Sequence, residues 1–233
     1  MKKVVLLAIA FIFFSNSYAQ KTELRVSLDS GLSAFSGQSA ESSSYMSFSN
    51  FTGSGYTNNP YGSKNALSYG VSLNLKRVTK VNFIYGIGVG YEDLRSKTSL
   101  TTVFNDGADA IPVSGETFMN VNTINVNPFA GYRFNADKFP IDLAAGFDIA
   151  NILSTKEKGD ATDASGNKYT TSRDRKTIST DFRPRIQIST DYQKIGVYLG
   201  YSFGLRNYLD GYVGGTNEAY SKIFRFGITY QVL

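Results

Sequence analysis

The sequence predicts an all-β fold, a transmembrane antiparallel up-and-down β-barrel of about eight strands. Three observations carry this reading. Eight segments alternate apolar and polar residues with period two. The connections between them are alternately short and long. After Phe14, no apolar run approaches the ~18 residues that a membrane helix requires.

The N-terminus comes first. Met1-Lys2-Lys3 is a positive start, and Val4 to Phe14 is an apolar run too short to span a bilayer. Ser17-Tyr18-Ala19 then sets small residues at both positions that a signal peptidase reads. A signal peptide over 1–19 and a barrel domain over 20–233 are expected.

The first segment, about Glu23 to Phe35, places Leu24, Val26, Leu28 and Leu32 opposite Arg25, Ser27, Asp29 and Gly31. The second sets Leu67, Tyr69, Val71, Leu73 and Leu75 against Ser68, Gly70, Ser72, Asn74 and Lys76. The third sets Phe83, Tyr85, Ile87, Val89 and Tyr91 against Gly86, Gly88, Gly90 and Glu92. In the fourth, Ile124, Val126, Ala130, Tyr132 and Phe134 oppose Asn125, Asn127, Gly131 and Arg133. In the fifth, Ile141, Leu143, Ala145, Phe147 and Ile149 oppose Asp142, Gly146 and Asp148. The sixth has Phe182, Ile186 and Ile188 against Asp181, Arg183, Arg185 and Gln187. The seventh has Ile195, Val197, Leu199, Tyr201 and Phe203 against Gly196, Gly200, Ser202 and Gly204. The eighth has Phe224, Phe226, Ile228, Tyr230 and Val232 against Arg225, Gly227, Thr229 and Gln231.

Three links are short: Arg77-Val78-Thr79-Lys80, Asn135-Ala136-Asp137-Lys138 and Asp191-Tyr192-Gln193-Lys194. The other four, about 36–66, 96–120, 155–176 and 206–218, are long and rich in Ser, Gly, Asn and Thr. Such segregation is the pattern of membrane barrels, with the short turns facing the periplasm and the long loops facing out. Prolines Pro128 and Pro184 each remove a ladder hydrogen bond, so bulges are expected there.

The polar face decides which side meets lipid. It holds Gly, Ser and isolated charges, which suits a narrow lumen better than a wet surface. Its charges nearly balance: Arg25, Lys76, Arg133, Arg183, Arg185 and Arg225 against Glu23, Asp29, Glu92, Asp142, Asp148 and Asp181. Ions enclosed in a barrel must pair, because an unpaired buried charge costs several kcal/mol. A lumen network of Arg25, Asp29, Glu92, Asp142, Asp148, Asp181, Arg183, Arg185 and Arg225 is therefore expected. Within it, Asp142 and Asp148 are expected to lie beside Arg183 and Arg185.

The layout resembles the OmpX/OmpA-type eight-stranded barrels. The Lys2-Lys3 start, the Ala19/Gln20 junction and the Gly- and Tyr-rich strands resemble the PorT-like "porin family" barrels of Bacteroidota, Gram-negative organisms. The end, Phe226-Gly227-Ile228-Thr229-Tyr230-Gln231-Val232-Leu233, is similar to the C-terminal assembly signal of such barrels, although Leu233 stands where an aromatic is usual. The resemblance implies an outer-membrane location, with outer-membrane lipids and the barrel-assembly machinery as partners.

Composition narrows the chemistry. The chain has no His and no Cys, so there is no Ser–His dyad, imidazole ligand or thiol nucleophile. A carboxylate pair such as Asp142 and Asp148 is better read as part of an ion network than as a catalytic pair. No enzyme activity, cofactor or metal is expected. Asp160, Asp163, Ser165 and Asn167 offer oxygen ligands, but their spacing matches no known calcium loop. The net charge of +5 is small and scattered, which argues against nucleic acid. In the first long loop, Tyr45, Met46, Phe48, Phe51, Tyr56 and Tyr61 stand among Ser, Gly and Asn, a composition used in binding surfaces. An extracellular ligand or protein partner is the expectation there; packing over the barrel mouth is the alternative. The function expected is interaction, adhesion or envelope integrity, the alternatives being a narrow pore for small solutes or a secreted soluble binding barrel.

Overall fold

The computed structural model describes residues 21–106, 109–134, 139–213 and 217–233. The leader expected at 1–19 and the link at 135–138 lie outside the described residues.

Among the described residues eleven strands form, in place of the expected eight or so. They are β1 (Lys21–Ser36), β2 (Ser43–Ser49), β3 (Ser54–Thr57), β4 (Lys64–Val78), β5 (Phe83–Asn105), β6 (Asp109–Phe134), β7 (Ile141–Asp163), β8 (Lys168–Asp174), β9 (Thr180–Tyr192), β10 (Ile195–Phe203) and β11 (Tyr220–Gln231). Eight of them close a ring by antiparallel pairing: β1–β4–β5–β6–β7–β9–β10–β11 and back to β1. Each contains one of the segments found by alternation. The extra three, β2, β3 and β8, come from stretches expected to be loop.

In the lower part of this ring the apolar face points outward and the polar face inward. Leu28 is 70% exposed and Ile228 61%, whereas Asp148, Asp181 and Arg183 are at 0%. On β5, the outward residues from Phe83 to Tyr91 span about 27 Å of strand, or roughly 20–25 Å of height once tilted, as a bilayer belt requires. Aromatics edge the belt. Phe83, Tyr132, Phe134, Phe139, Tyr192 and Tyr230 are exposed near the short-turn end, and Phe139 stacks on Tyr192 at 5.3 Å. Tyr69, Tyr91, Tyr201, Phe203 and Phe224 edge the other end.

Two of the short turns place a non-glycine residue at positive φ, Asn82 at 61° and Gln193 at 54°, as tight hairpins of this hand demand. The prolines do not produce the expected bulges. Register runs without a shift through Pro128, opposite Ile87, and through Pro184, opposite Phe147. The β6–β7 ladder instead has no paired residues at positions 127 and 128 and resumes in the same register.

Above the belt, polarity inverts. A register shift in the β6–β7 ladder sets Ser154 opposite Asn122 and Ile152 opposite Thr123, leaving Leu153 as the extra residue of a bulge. Below it Asp142, Asp148 and Ala150 point inward; above it Thr155, Glu157 and Ala161 do, while Lys158 and Asp160 are exposed. A second shift lies between Leu100 and Thr102 on β5. Beyond these points charged and polar side chains such as Lys158 and Asp160 stand outside, and the inside mixes apolar residues with buried Thr98, Thr117, Thr155 and Glu157.

The extended upper parts of β5, β6 and β7 are continued by β8, β3 and β2 into a second, smaller ring. Here β8 pairs antiparallel with β7, β3 lies parallel to β8, β2 is antiparallel to β3, and β2 closes parallel onto β5. Its core is Met46, Leu100, Val103, Ala161 and Tyr169, with Phe48, Ile111 and Val113 packed against it. Between the rings, Phe35, Tyr61, Leu94, Met119, Val121, Ile178, Tyr208 and Ile223 form an apolar lid over the mouth of the larger one.

Candidate functional site

Among the described residues the lumen holds two separate ion clusters, each of three acids and three enclosed bases, and the exposed Lys21 adds a fourth base to the lower one, 3.1 Å from Glu23. The upper one contains Glu92, Asp148 and Asp181 with Arg183, Arg185 and Arg225. Arg183 Nε donates to Asp181 Oδ2 at 2.8 Å, and its Nη1 lies 3.6 Å from Glu92 Oε2. Arg225 Nη2 donates to Glu92 Oε2 at 3.0 Å and lies 3.1 Å from Asp148 Oδ2. Arg185 Nη1 is 3.5 Å from Asp148 Oδ1. Asp181 Oδ2 also accepts from Ser221 Oγ at 2.8 Å.

The lower cluster contains Glu23, Asp142 and Asp191 with Arg25, Lys76 and Arg133. Arg133 holds Asp142 with two bonds, Nε to Oδ1 at 2.7 Å and Nη2 to Oδ2 at 2.8 Å, the bidentate fork that suits guanidinium. It also donates from Nη1 to Glu23 Oε1 at 2.9 Å. Arg25 joins Glu23 at 2.9 Å and pairs with Asp191; Lys76 lies 3.2 Å from Glu23 and pairs with Asp142. A cavity of about 60 Å³ touches Lys76, Asp142 and Asp191 on one side and Arg185 on the other. At the roughly 10–15 Å³ of such volume that one water needs, it has room for about four waters.

The single network expected from sequence is thus divided. Asp142 does not join Arg183 and Arg185, because the β7–β9 register sets Asp148 opposite Arg183 but Asp142 opposite Ser189. Asp29 joins neither cluster: Tyr198 Oη donates to its Oδ1 at 2.6 Å, and among the described residues no salt bridge includes it. Asp191, which the sequence pattern assigns to a turn, is a lumen residue. Tyr208 ties the lid to the upper cluster, accepting from Arg183 Nη2 at 3.0 Å and donating to Asp181 Oδ2 at 3.1 Å. Burial raises its hydroxyl pKa, so it stays protonated and able to donate.

The aromatics of the first long loop are also divided. Tyr61 is 1% exposed, packed edge-on against Phe35 at 4.9 Å, and burial pushes its hydroxyl up to about 12. It belongs to the lid, not to a contact surface. Met46 is core, and Phe48 packs edge-on against Tyr169 at 5.2 Å. The outward set is Tyr45, beside Phe104 at 5.0 Å, Tyr56, with the Arg173 guanidinium 5.4 Å above its ring, and Phe51, 97% exposed at the β2–β3 tip. The distal ring rests on a buried Glu157. Its Oε1 accepts from the Thr57 amide at 2.6 Å and from Thr171 Oγ1 at 2.9 Å, and its Oε2 accepts from Arg175 Nε at 2.6 Å.

The oxygen-rich turn between β7 and β8 caps itself. Asp163 accepts from the amides of Ser165 and Asn167, from Asn167 Nδ2 and from Tyr169 Oη, and the Asn167 bonds hold its pKa below the usual carboxylate range.

No curated protein matches the chain. Among solved structures, it is similar to Ail, the attachment invasion locus protein of Yersinia pestis crystallised with the heparin analogue sucrose octasulfate, at 10% identity and a TM-score of 0.37, covering 91% of this chain and 99% of that one. It is similar to Neisserial surface protein A at 10% identity and a TM-score of 0.39, with the same coverage of 91% and 99%. The profile of the outer membrane protein beta-barrel domain matches residues 18–210, most of the sequence. With a closed ring whose apolar face points outward, the chain belongs to the outer membrane protein beta-barrel domain family.

Proposed function

We propose that the protein is a surface-displayed interaction or adhesion protein, in which the larger barrel is an anchor and the distal ring presents the contact surface. The observation carrying this is the pairing of a blocked lumen with an elaborated far end. Two ion clusters and an apolar lid stand across the passage, while Tyr45, Phe51 and Tyr56 with Arg173 face outward. An eight-stranded ring is only wide enough for its own side chains, which disfavours the pore. In this reading the leader is cleaved after Ala19, outer-membrane lipids surround the belt, and barrel-assembly machinery inserts it.

The test uses the detergent-solubilised protein on arrays of extracellular-matrix proteins and glycans, beside planar-bilayer recording. At least one array signal is expected to fall about tenfold in a Phe51→Ser, Tyr56→Ser double variant, equal to the roughly 1.4 kcal/mol of a modest contact. Bilayers should show no conductance steps. Steps in the bilayer with a blank array would establish the pore instead.

The orientation has its own check. An epitope tag beside Ser165, in the β7–β8 turn, is expected to be stained on intact cells, and one beside Thr79, in the short β4–β5 turn, only after permeabilisation. The opposite staining would put the distal ring in the periplasm.

A further inference from the structure

The wall formed by β4, β1, β11 and β10 carries an open outward groove of about 650 Å³ at the upper edge of the belt. Its lower part is apolar. Leu32, Phe224 and Tyr201 stand side by side, since Phe224 pairs with Leu32 on one flank and Tyr201 on the other. One pleat higher, about 7 Å along the strand, Lys222 stands between Ala34 and Phe203. Asn65 and Ser63 continue the polar rim.

Lys222 differs from the other cations near this edge. The Arg95 guanidinium lies over the Phe118 ring at 4.9 Å, Lys97 pairs with Glu116 at 2.9 Å, and Lys64 Nζ donates to Ser99 Oγ at 2.6 Å. Lys222 is exposed and, among the described residues, joins no salt bridge. A lysine above an apolar wall snorkels, laying its stem on the wall and its ammonium at the headgroup level.

We propose that this groove binds a phosphate-bearing lipid of the surrounding outer leaflet, with its phosphate on Lys222 Nζ and an acyl chain along Leu32, Tyr201 and Phe224. Charge complementarity selects the headgroup, and the continuity of the groove with the lipid-facing belt selects a lipid over a free anion. One exposed lysine holds dissolved phosphate weakly, whereas a chain already lying against the wall delivers the phosphate at high local concentration. Placement in the outer leaflet rests on the orientation proposed above; binding in micelles does not, so the two fail separately.

The experiment is native mass spectrometry of the folded full-length protein in neutral detergent, with lipid A as the bisphosphorylated probe and phosphatidylcholine as the zwitterionic comparison. Lipid A should be retained over phosphatidylcholine. Lys222→Gln should lower its retention about fivefold, the equivalent of roughly 1 kcal/mol for one lysine at a lipid surface. Lys222→Arg should keep it, and Lys80→Gln at the opposite end should leave it unchanged. Folding of each variant is read from the gel shift between unboiled and boiled samples. Equal retention by folded Lys222→Gln, or equal retention of phosphatidylcholine, would overturn the proposal. So would displacement of lipid A by millimolar inorganic phosphate, which would mark a free-anion site.

Discussion

Replacing Arg183 with leucine is expected to cost the barrel about 3–5 kcal/mol, the usual penalty for breaking a buried ion pair from one side. Arg183 is at 0% exposure and serves Asp181, Glu92 and Tyr208 together. Leucine leaves Asp181 with only neutral donors (Ser221, Tyr208 and the Arg206 amide) and removes one of the two bonds by which Tyr208 joins the lid to the cluster. Arg185 is the internal comparison. Its side chain retains 14% exposure, its closest carboxylate is 3.5 Å away, and Asp148 keeps Arg225. Arg185→Leu should therefore cost only about 1–2 kcal/mol. Urea unfolding in liposomes separates the two. A cost below about 1 kcal/mol for Arg183→Leu would mean that the polar face is wet.

Glu157→Leu should act at the other end of the molecule. The carboxylate is at 0% exposure and bonds to β3 through Thr57, to β8 through Thr171 and to the following segment through Arg175. Its loss strands the Thr57 amide and takes the counter-ion from Arg175, whose guanidinium keeps only the Thr57 carbonyl as a hydrogen-bond acceptor. Arg175 retains 16% side-chain exposure, so the expected cost is about 3 kcal/mol, at the low end for a buried pair. Because the single bridge between β3 and β8 is Gly55 with Thr171, the damage should stay in the distal ring. Hydrogen exchange should quicken in β2, β3 and β8 while the gel shift of the membrane barrel persists. Unchanged exchange there would show that Glu157 does not hold the ring together.

The membrane portion was legible because lipid outside and a narrow lumen inside impose opposite chemistry on alternate residues. That rule fails above the belt. There the outer face is polar and the inner one mixes threonines with apolar residues, so Thr98, Leu100, Thr117 and Met119 point inward from stretches whose Ser, Thr and Gly content suggested loops. The bulge at Leu153 also resets the phase of β7, which hides its continuation from a period count. Facing was legible for the ion clusters; height was not. Asp142 and Asp148 share a face but stand six residues apart, about 20 Å along a strand. That distance alone signals that one arginine pair cannot serve both. Asp191 was missed because residues beside a two-residue turn look like linker, although its even spacing from Ser189 and Gln187 continues the inward face of β9.

β5, β6 and β7 run unbroken from one ring into the other, so the molecule has no hinge where the membrane part ends. A load applied at the Phe51 tip passes through β2 onto β5, where the parallel ladder from Ser43 to Phe48 aligns with the strand axis. The hydrogen bonds of that ladder and of β5–β6 are then stressed together in shear instead of opening one by one. The protruding ring therefore behaves as a stiff post, transmitting tension to a barrel that is itself gripped by the bilayer.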